Sequence, residues 1–339
     1  MTRELVQFSL MFQGNKPIAE YIRYARLMEK YDFDAFFVGD DVFYRSCWPI
    51  LFAVAPHTSK LQIGPSATHP FCRHPAFTAG NIACLDELTQ GRAVLGVCRG
   101  AFHEELGVRT PNPIVAVKET VDIVSRFLRG DKTEYKGMVF RISEGMTFRY
   151  EPYRREIPIF IGTWGRKLSQ VAGQMKEVSE VRIDTLWNPS YLPVISKAIA
   201  YGARRAGRNP SDVRIAVGPQ TSISRDREAA RKCVRKTLPD YMSYPPFMVM
   251  ASAVGVDSNE IDAVRQATRK NDYESAENLI SDHTIDNFTA SGTPEDIIRG
   301  AKIMIDHGAS HISFCHPHGP NVQEAIHLIG REVIPSLKQ

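Results

Sequence analysis

The 339-residue chain reads as an α/β protein whose parallel sheet lies inside a shell of helices. Two observations within residues 61–98 carry that reading. The first is a strand handing over to a helix. Leu61, Ile63 and Pro65 alternate with Gln62 and Gly64, the segment Ser66-Ala67-Thr68-His69-Pro70 breaks the run, and His74-Pro75 opens a helix. Phe77, Ile82, Leu85 and Leu88 mark the helix's apolar face before Gln90-Gly91 stops it. The second is the run from Ala93 to Cys98, apolar without polar alternation, as a strand covered on both faces must be. Together they form one βαβ unit.

The other elements are arranged in order around this unit. Residues 6–12 form a first strand, Gln13-Gly14-Asn15-Lys16-Pro17 a turn, and 18–31 a helix with Ile22, Ala25, Leu27 and Met28 apolar. A buried strand, 35–39, ends at Asp40-Asp41, either as functional carboxylates or with one of them capping the next helix. A short apolar helix, 48–58, leads into the βαβ unit. Beyond Arg99-Gly100, a loop bearing Phe102, His103, Glu104 and Glu105 precedes a helix over 114–129. Residues 133–148 alternate around Lys136-Gly137 as an inserted hairpin. The strand at 157–162 runs into Thr163-Trp164-Gly165-Arg166-Lys167, where a glycine turn opens a helix. Free N–H groups at such a start, with Arg166 or Lys167 beside them, suit a phosphate.

A sixth strand at 180–184 carries three charges, and a helix spans 189–206. Residues 213–223 form a seventh strand, 225–236 a charged helix, and 238–287 a helical insertion. Thr293-Pro294-Glu295-Asp296 caps a helix that ends at Gly308. An eighth strand, 311–315, leads through His316-Pro317-His318-Gly319-Pro320 to a final helix at 322–337.

Bulk properties exclude several function classes. A hydrophobic share of 43% supports one sizeable core, and a net charge of +4 with isolated Arg154-Arg155 and Arg204-Arg205 pairs gives no footprint for nucleic acid. No apolar run reaches membrane-spanning length and no leader pattern opens the chain. The six cysteines form no CxxC pair and several sit in apolar runs, so a reducing, cytoplasmic setting is expected. There is no GxSxG elbow and no GxGxxG after the first strand. His307, His311, His316 and His318 lie on both sides of one strand and cannot all converge, so no metal is expected.

The stretch THPFCRHPAFTAGNIACLDELTQGRAVLGV resembles the third-to-fourth-strand region of the bacterial luciferase-like superfamily. The closest likeness is to the branch of methylenetetrahydromethanopterin reductase and other enzymes of the deazaflavin coenzyme F420. GTPEDIIRGAKIMIDHGASHISF and the closing HGPN resemble its carboxyl terminus. The resemblance implies a single TIM (β/α)8 barrel over residues 1–339, with the hairpin at 133–148 and the helical insertion at 238–287 before the last βα unit. It also implies a flavin or deazaflavin at the carboxyl ends of the strands, a small-molecule substrate and a homodimer. The activity expected is F420-dependent hydride transfer, with two alternatives: an FMN-dependent monooxygenase, or a non-catalytic flavin-binding or non-flavin barrel.

The residues expected at the site sit at strand ends. Asp40 and His69 are the catalytic candidates, His69 because an unperturbed imidazole titrates near neutrality, though it can instead be a rim histidine bonding backbone. The cofactor candidates are Phe12, Asp40, Ser66, Ala67, Thr68, Arg99, Thr163, Trp164, Gly165 and Arg166. The substrate candidates are Asp41, Phe43, Trp48, Trp187 and His316. The resemblance further implies a non-proline cis peptide between Ser66 and Ala67. Three positions depart from the pattern: Asp41 stands where several F420 enzymes have histidine, Ala101 where several have an acid, and Met11 where the methanopterin reductases have an acid.

Overall fold

Strand residues of alternating direction sort this chain into an inner and an outer apolar layer. A computed structural model describes residues 6–244 and 247–338. Its strands are β1 (Gln7–Phe12), β2 (Ala35–Val38), β3 (Gln62–Pro65), β4 (Leu95–Val97), β5 (Tyr135–Lys136), β6 (Arg141–Ile142), β7 (Ile159–Gly162), β8 (Val178–Asp184), β9 (Arg214–Gly218), β10 (Gln220–Ile223), β11 (Thr289–Gly292) and β12 (His311–His318). Eight of them run parallel in the order β3-β2-β1-β12-β9-β8-β7-β4, and bridges Ile63–Ala93 and Thr68–Val97 join the two ends. The result is a TIM barrel ringed by helices, as expected. No helix among the described residues is long and apolar enough to cross a membrane.

Closure depends on glycine. A Cβ at Gly64 would lie 1.8 Å from the Val94 carbonyl oxygen, and one at Gly96 would lie 2.2 Å from the Phe160 ring. Only a bare backbone lets β3 and β4 approach this closely. The hairpin β5–β6 docks on the helix Pro113–Arg129 through the buried Glu119. Its carboxylate accepts the N–H groups of Met138, Val139 and Phe140 at 2.6, 3.1 and 2.8 Å.

The strand expected over 213–223 is two strands. Pro219 has no N–H to give the ladder, so β9 ends at Gly218 and β10 turns to pair with β11 and the far half of β12. The strand β11 has no counterpart among the expected elements, because Thr-Ala-Ser-Gly carries no bulky residue to signal one. The insertion is helical as expected, with helices at Phe247–Ala253, Ser258–Arg269, Tyr273–Leu279 and Asp282–Phe288.

Below the mouth, the barrel interior is polar and charged. Ser9 bonds His311 at 2.8 Å, His311 bonds Glu180 at 2.9 Å, and Glu180 accepts Arg182 at 3.0 Å. Arg182 then donates to Ser66 Oγ at 3.1 Å. Its guanidinium lies between the rings of Phe37 and Phe160, 4.2 and 3.9 Å from their centroids. Burial pushes the Glu180 carboxyl up, but His311 and Arg182 overcome this and hold it well below the usual range. Breaking one partner of such a buried network costs about 3–5 kcal/mol. Arg182→Met is therefore expected to lower unfolding stability by that amount in urea titration; a loss under about 1 kcal/mol would show that the network does not hold the barrel.

Candidate active site at the barrel mouth

The strand ends converge on a concave mouth with an apolar floor. Met11, Ala35, Phe37, Val94, Phe160 and Cys315 form an inner cluster against which Ala67 packs. Ser66–Ala67 is a cis peptide bond, as the resemblance implied, and His316–Pro317 is a second. The Cys98 thiol donates to the Ala67 carbonyl at 3.6 Å, and a Cβ on Gly162 would meet Cys98 and Ala67 at 3.5 and 3.8 Å. The ends of β3, β4 and β7 are thus immediate neighbours around Ala67.

On one side of the floor Asp40 is fixed from two directions. Thr68 Oγ1 donates to its Oδ2 at 2.7 Å and Arg73 at 3.0 Å, so the carboxylate is aimed by two contacts at once. On another side lies the start of the helix Arg166–Gln174, which has no side-chain cap. Thr163 Oγ1 accepts the Gly165 N–H at 3.0 Å, and Trp164 is pinned by its ring N–H on the Asp184 carbonyl at 2.6 Å. Gly165 and Arg166 are exposed, which sets the uncapped first-turn N–H groups of the helix and a cation together on the rim. Arg99 is exposed beyond β4.

An aromatic wall stands over the mouth. Phe43 meets Phe102 at 4.5 Å, Phe102 meets Tyr244 at 5.3 Å, and Trp164 lies between Tyr244 and Phe247 at 6.5 and 6.3 Å. His316 bonds Tyr241 at 2.8 Å, so the helix Arg227–Met242 reaches back to the barrel rim. Asp41 receives the Phe43 N–H at 3.1 Å, closing a turn and not capping a helix. Burial raises its carboxyl, and the nearby negative charges of Asp240 and Asp40 raise it further.

Burial displaces many titratable groups around the mouth, and two of them, His69 and Asp184, bear on proton transfer. Burial pushes His69 down to about 4, with His103 and Arg73 adding to the fall and Asp40 opposing it. The imidazole is neutral at pH 7, which removes the premise that His69 titrates near neutrality. Burial instead pushes Asp184 up to about 6, against the neighbouring Arg182.

Three expected site residues are packing residues. Phe12 points outward, where its ring meets Tyr21, Tyr24, Phe36 and His318; the alternation of β1 turns Met11 inward instead. Trp48 is 4% exposed in the outer core with Arg73 over its ring, and Trp187 packs against Gly300 of the helix Pro294–Asp306. Ser66 is buried and occupied by Arg182. Asp184, Arg182, Tyr241 and Tyr244 were not anticipated. Glu180, Arg182 and Asp184 are visible in the sequence as charges at period two, which places all three on one face of β8, but charges in a strand read first as exposure.

The sequence model of the luciferase-like monooxygenases matches residues 5–311. A 5,10-methylenetetrahydromethanopterin reductase from Methanolobus tindarius is 30% identical over 96% of this chain and 99% of its own length. An F420-dependent glucose-6-phosphate dehydrogenase from Microbacterium testaceum is 24% identical over 94% of each. The solved structure of the coenzyme F420-dependent tetrahydromethanopterin reductase from Methanopyrus kandleri superimposes with a TM-score of 0.91 at 25% identity, covering 98% of this chain and 100% of that one. With the family match spanning most of its length, this chain belongs to the luciferase-like monooxygenase family.

Proposed function

We propose that this protein is a coenzyme F420-dependent oxidoreductase that passes hydride between the deazaflavin and a small organic substrate. The observation carrying the reading is one rim that joins an apolar floor, suited to a flat ring, with an uncapped helix start, suited to a phosphate. Full-length similarity to F420 enzymes supports it. When bound, the deazaflavin supplies a two-electron hydride donor or acceptor. Ala67 and Thr68 would border its ring, Gly165 and Arg166 its phosphate, and the floor would keep water from its face. Asp40 orients the ring or a substrate proton. His69, held neutral, offers a hydrogen bond in place of acid catalysis. Met11 and Ala101 leave apolar surface where the pterin reductases carry acids, so the substrate is proposed to differ from theirs.

Asp184, whose carboxyl burial pushes up to about 6 at the mouth end of β8, is proposed to exchange a proton with substrate.

Fluorescence titration of the purified protein with F420 and with FMN tests the proposal. F420 is expected to bind at least about tenfold tighter, a difference of about 1.4 kcal/mol. Asp40→Asn is expected to cut turnover at least as much. Tighter FMN binding would move the protein to the monooxygenase reading, and binding of neither to the non-flavin barrel.

Asp184 makes a signed pH prediction. Its folded-state value, about 6, exceeds the unfolded 3.8, so its neutral form favours folding and that advantage disappears as pH rises through 6. Asp184→Asn should therefore stabilise the protein by up to about 3 kcal/mol at pH 8 and not at all below pH 4. Equal stability of the two proteins at pH 8 would contradict the shift.

A homodimer completes the proposal. The helix Cys47–Val54 is largely buried, whereas Pro75–Leu88 presents Phe77 at 72% and Leu88 at 49% exposure. Sedimentation equilibrium should give a mass near twice 38.1 kDa at micromolar concentration, and Phe77→Lys should shift it toward monomer.

A further inference from the structure

We propose that His69, Cys72 and His103 form a binding site for a zinc-class divalent cation at the edge of the barrel mouth. This goes beyond the hydride-transfer reading and stands whether or not the chain uses F420. The expectation of no metal weighed only the four histidines near the carboxyl terminus. These prove dispersed: His307 bonds the Ile303 carbonyl, His311 lies inside the barrel, His316 bonds Tyr241, and His318 bonds the Phe314 carbonyl.

The three proposed ligands come from two loops. His69 and Cys72 lie after β3, and His103 after β4. Their ligand atoms all lie within 4.8 Å of one another, the one such group among the described residues. The loops meet because Gly100 adopts φ +78, with space so limited that a Cβ would stand 2.5 Å from His69 Cγ and 2.9 Å from His103 Cε1. His69 Nδ1 and His103 Nε2 are hydrogen-bonded to each other at 3.3 Å, a contact that a shared cation would replace. Two nitrogens bound at 2.0–2.1 Å to one tetrahedral zinc stand about 3.3 Å apart, and a nitrogen and a thiolate sulfur about 3.6 Å. The nitrogens therefore already have the spacing of two ligands. Cys72 Sγ lies within 4.8 Å of both nitrogens, about 1 Å beyond ligand spacing, and it is an exposed side chain on a bend.

The donor set selects the cation class. Two imidazoles and a thiolate suit zinc, cobalt or copper and not magnesium or calcium. The negative charge of Asp40 acts on both His69 and Cys72, and Arg73, the adjacent cation, is tied to Asp40 at 3.0 Å. Three protein ligands leave a fourth position for water or a substrate oxygen, the arrangement of catalytic more than structural zinc sites.

The test uses the full-length protein, stripped with chelator and titrated with Zn2+ and Co2+ without cofactor. One equivalent should bind, and Co2+ should give a near-ultraviolet thiolate-to-cobalt band. Cys72→Ser should abolish that band, and His103→Gln should weaken binding at least about tenfold, whereas Cys84→Ser, which alters the other exposed thiol, should bind as the parent does. Zn2+ should also protect Cys72, and not Cys84, from alkylation in the unaltered chain, a readout independent of whether the variants fold. No binding at micromolar metal, binding unchanged in Cys72→Ser, or equal alkylation of both cysteines with and without Zn2+ would overturn the site.

Discussion

The position of Arg182 conditions most of the structure above it. A guanidinium 1% exposed, at the centre of a barrel, is tolerable only if its charge is answered close by. Glu180 answers it in the plane, and the rings of Phe37 and Phe160 answer it above and below. Its remaining reach goes to Ser66 Oγ, so the first residue of the turn after β3 is tied to the middle of β8 across the barrel. The turn's next residue, Ala67, borders the floor of the mouth, and Thr68 orients Asp40. An interior ion pair thereby fixes the seat of a candidate cofactor.

That dependence explains why the barrel fills its centre with charge where apolar side chains would pack more cheaply. Leu, Ile and Phe could close the lower barrel, and replacing such a pair by apolar residues is often neutral or stabilising. An apolar plug, however, has no directional contact to offer Ser66. The chain from Ser9 through His311, Glu180 and Arg182 to Ser66 gives β1, β12, β8 and β3 a common hydrogen-bonded register.

Much of this was legible in the sequence, and the limits have physical causes. The βαβ unit, the order of strands and the helical insertion are set by apolar periodicity and by turn residues, which report burial directly. Side-chain direction at strand ends was harder to read, because one residue of register reverses it. Phe12 was expected at the mouth and Met11 holds that place. Trp48 and Trp187 were expected there as large rings, but ring size alone does not distinguish a lining residue from a core residue. Asp184 was missed because charges in a strand read as exposure. In a barrel the same period-two charges can all face inward.

Along β8 those inward charges form a series. Glu180, deepest, has His311, Arg182 and Arg214 around it, and its carboxyl is held low. Arg182, one layer up, is bonded and sandwiched, although its Nε has no partner among the described residues. Among the described residues, Asp184, at the mouth, has the Cys315 thiol at 3.9 Å and the field of Arg182, too little to offset its burial, and its carboxyl rises. Satisfaction falls step by step from the closed end to the open one. A group left short of partners in a rigid frame exchanges its proton for whatever enters beside it, whereas a fully bonded group resists exchange. The same strand therefore supplies the barrel's anchor at one end and a carboxyl raised by burial at the other, and the difference between them is the number of partners within reach.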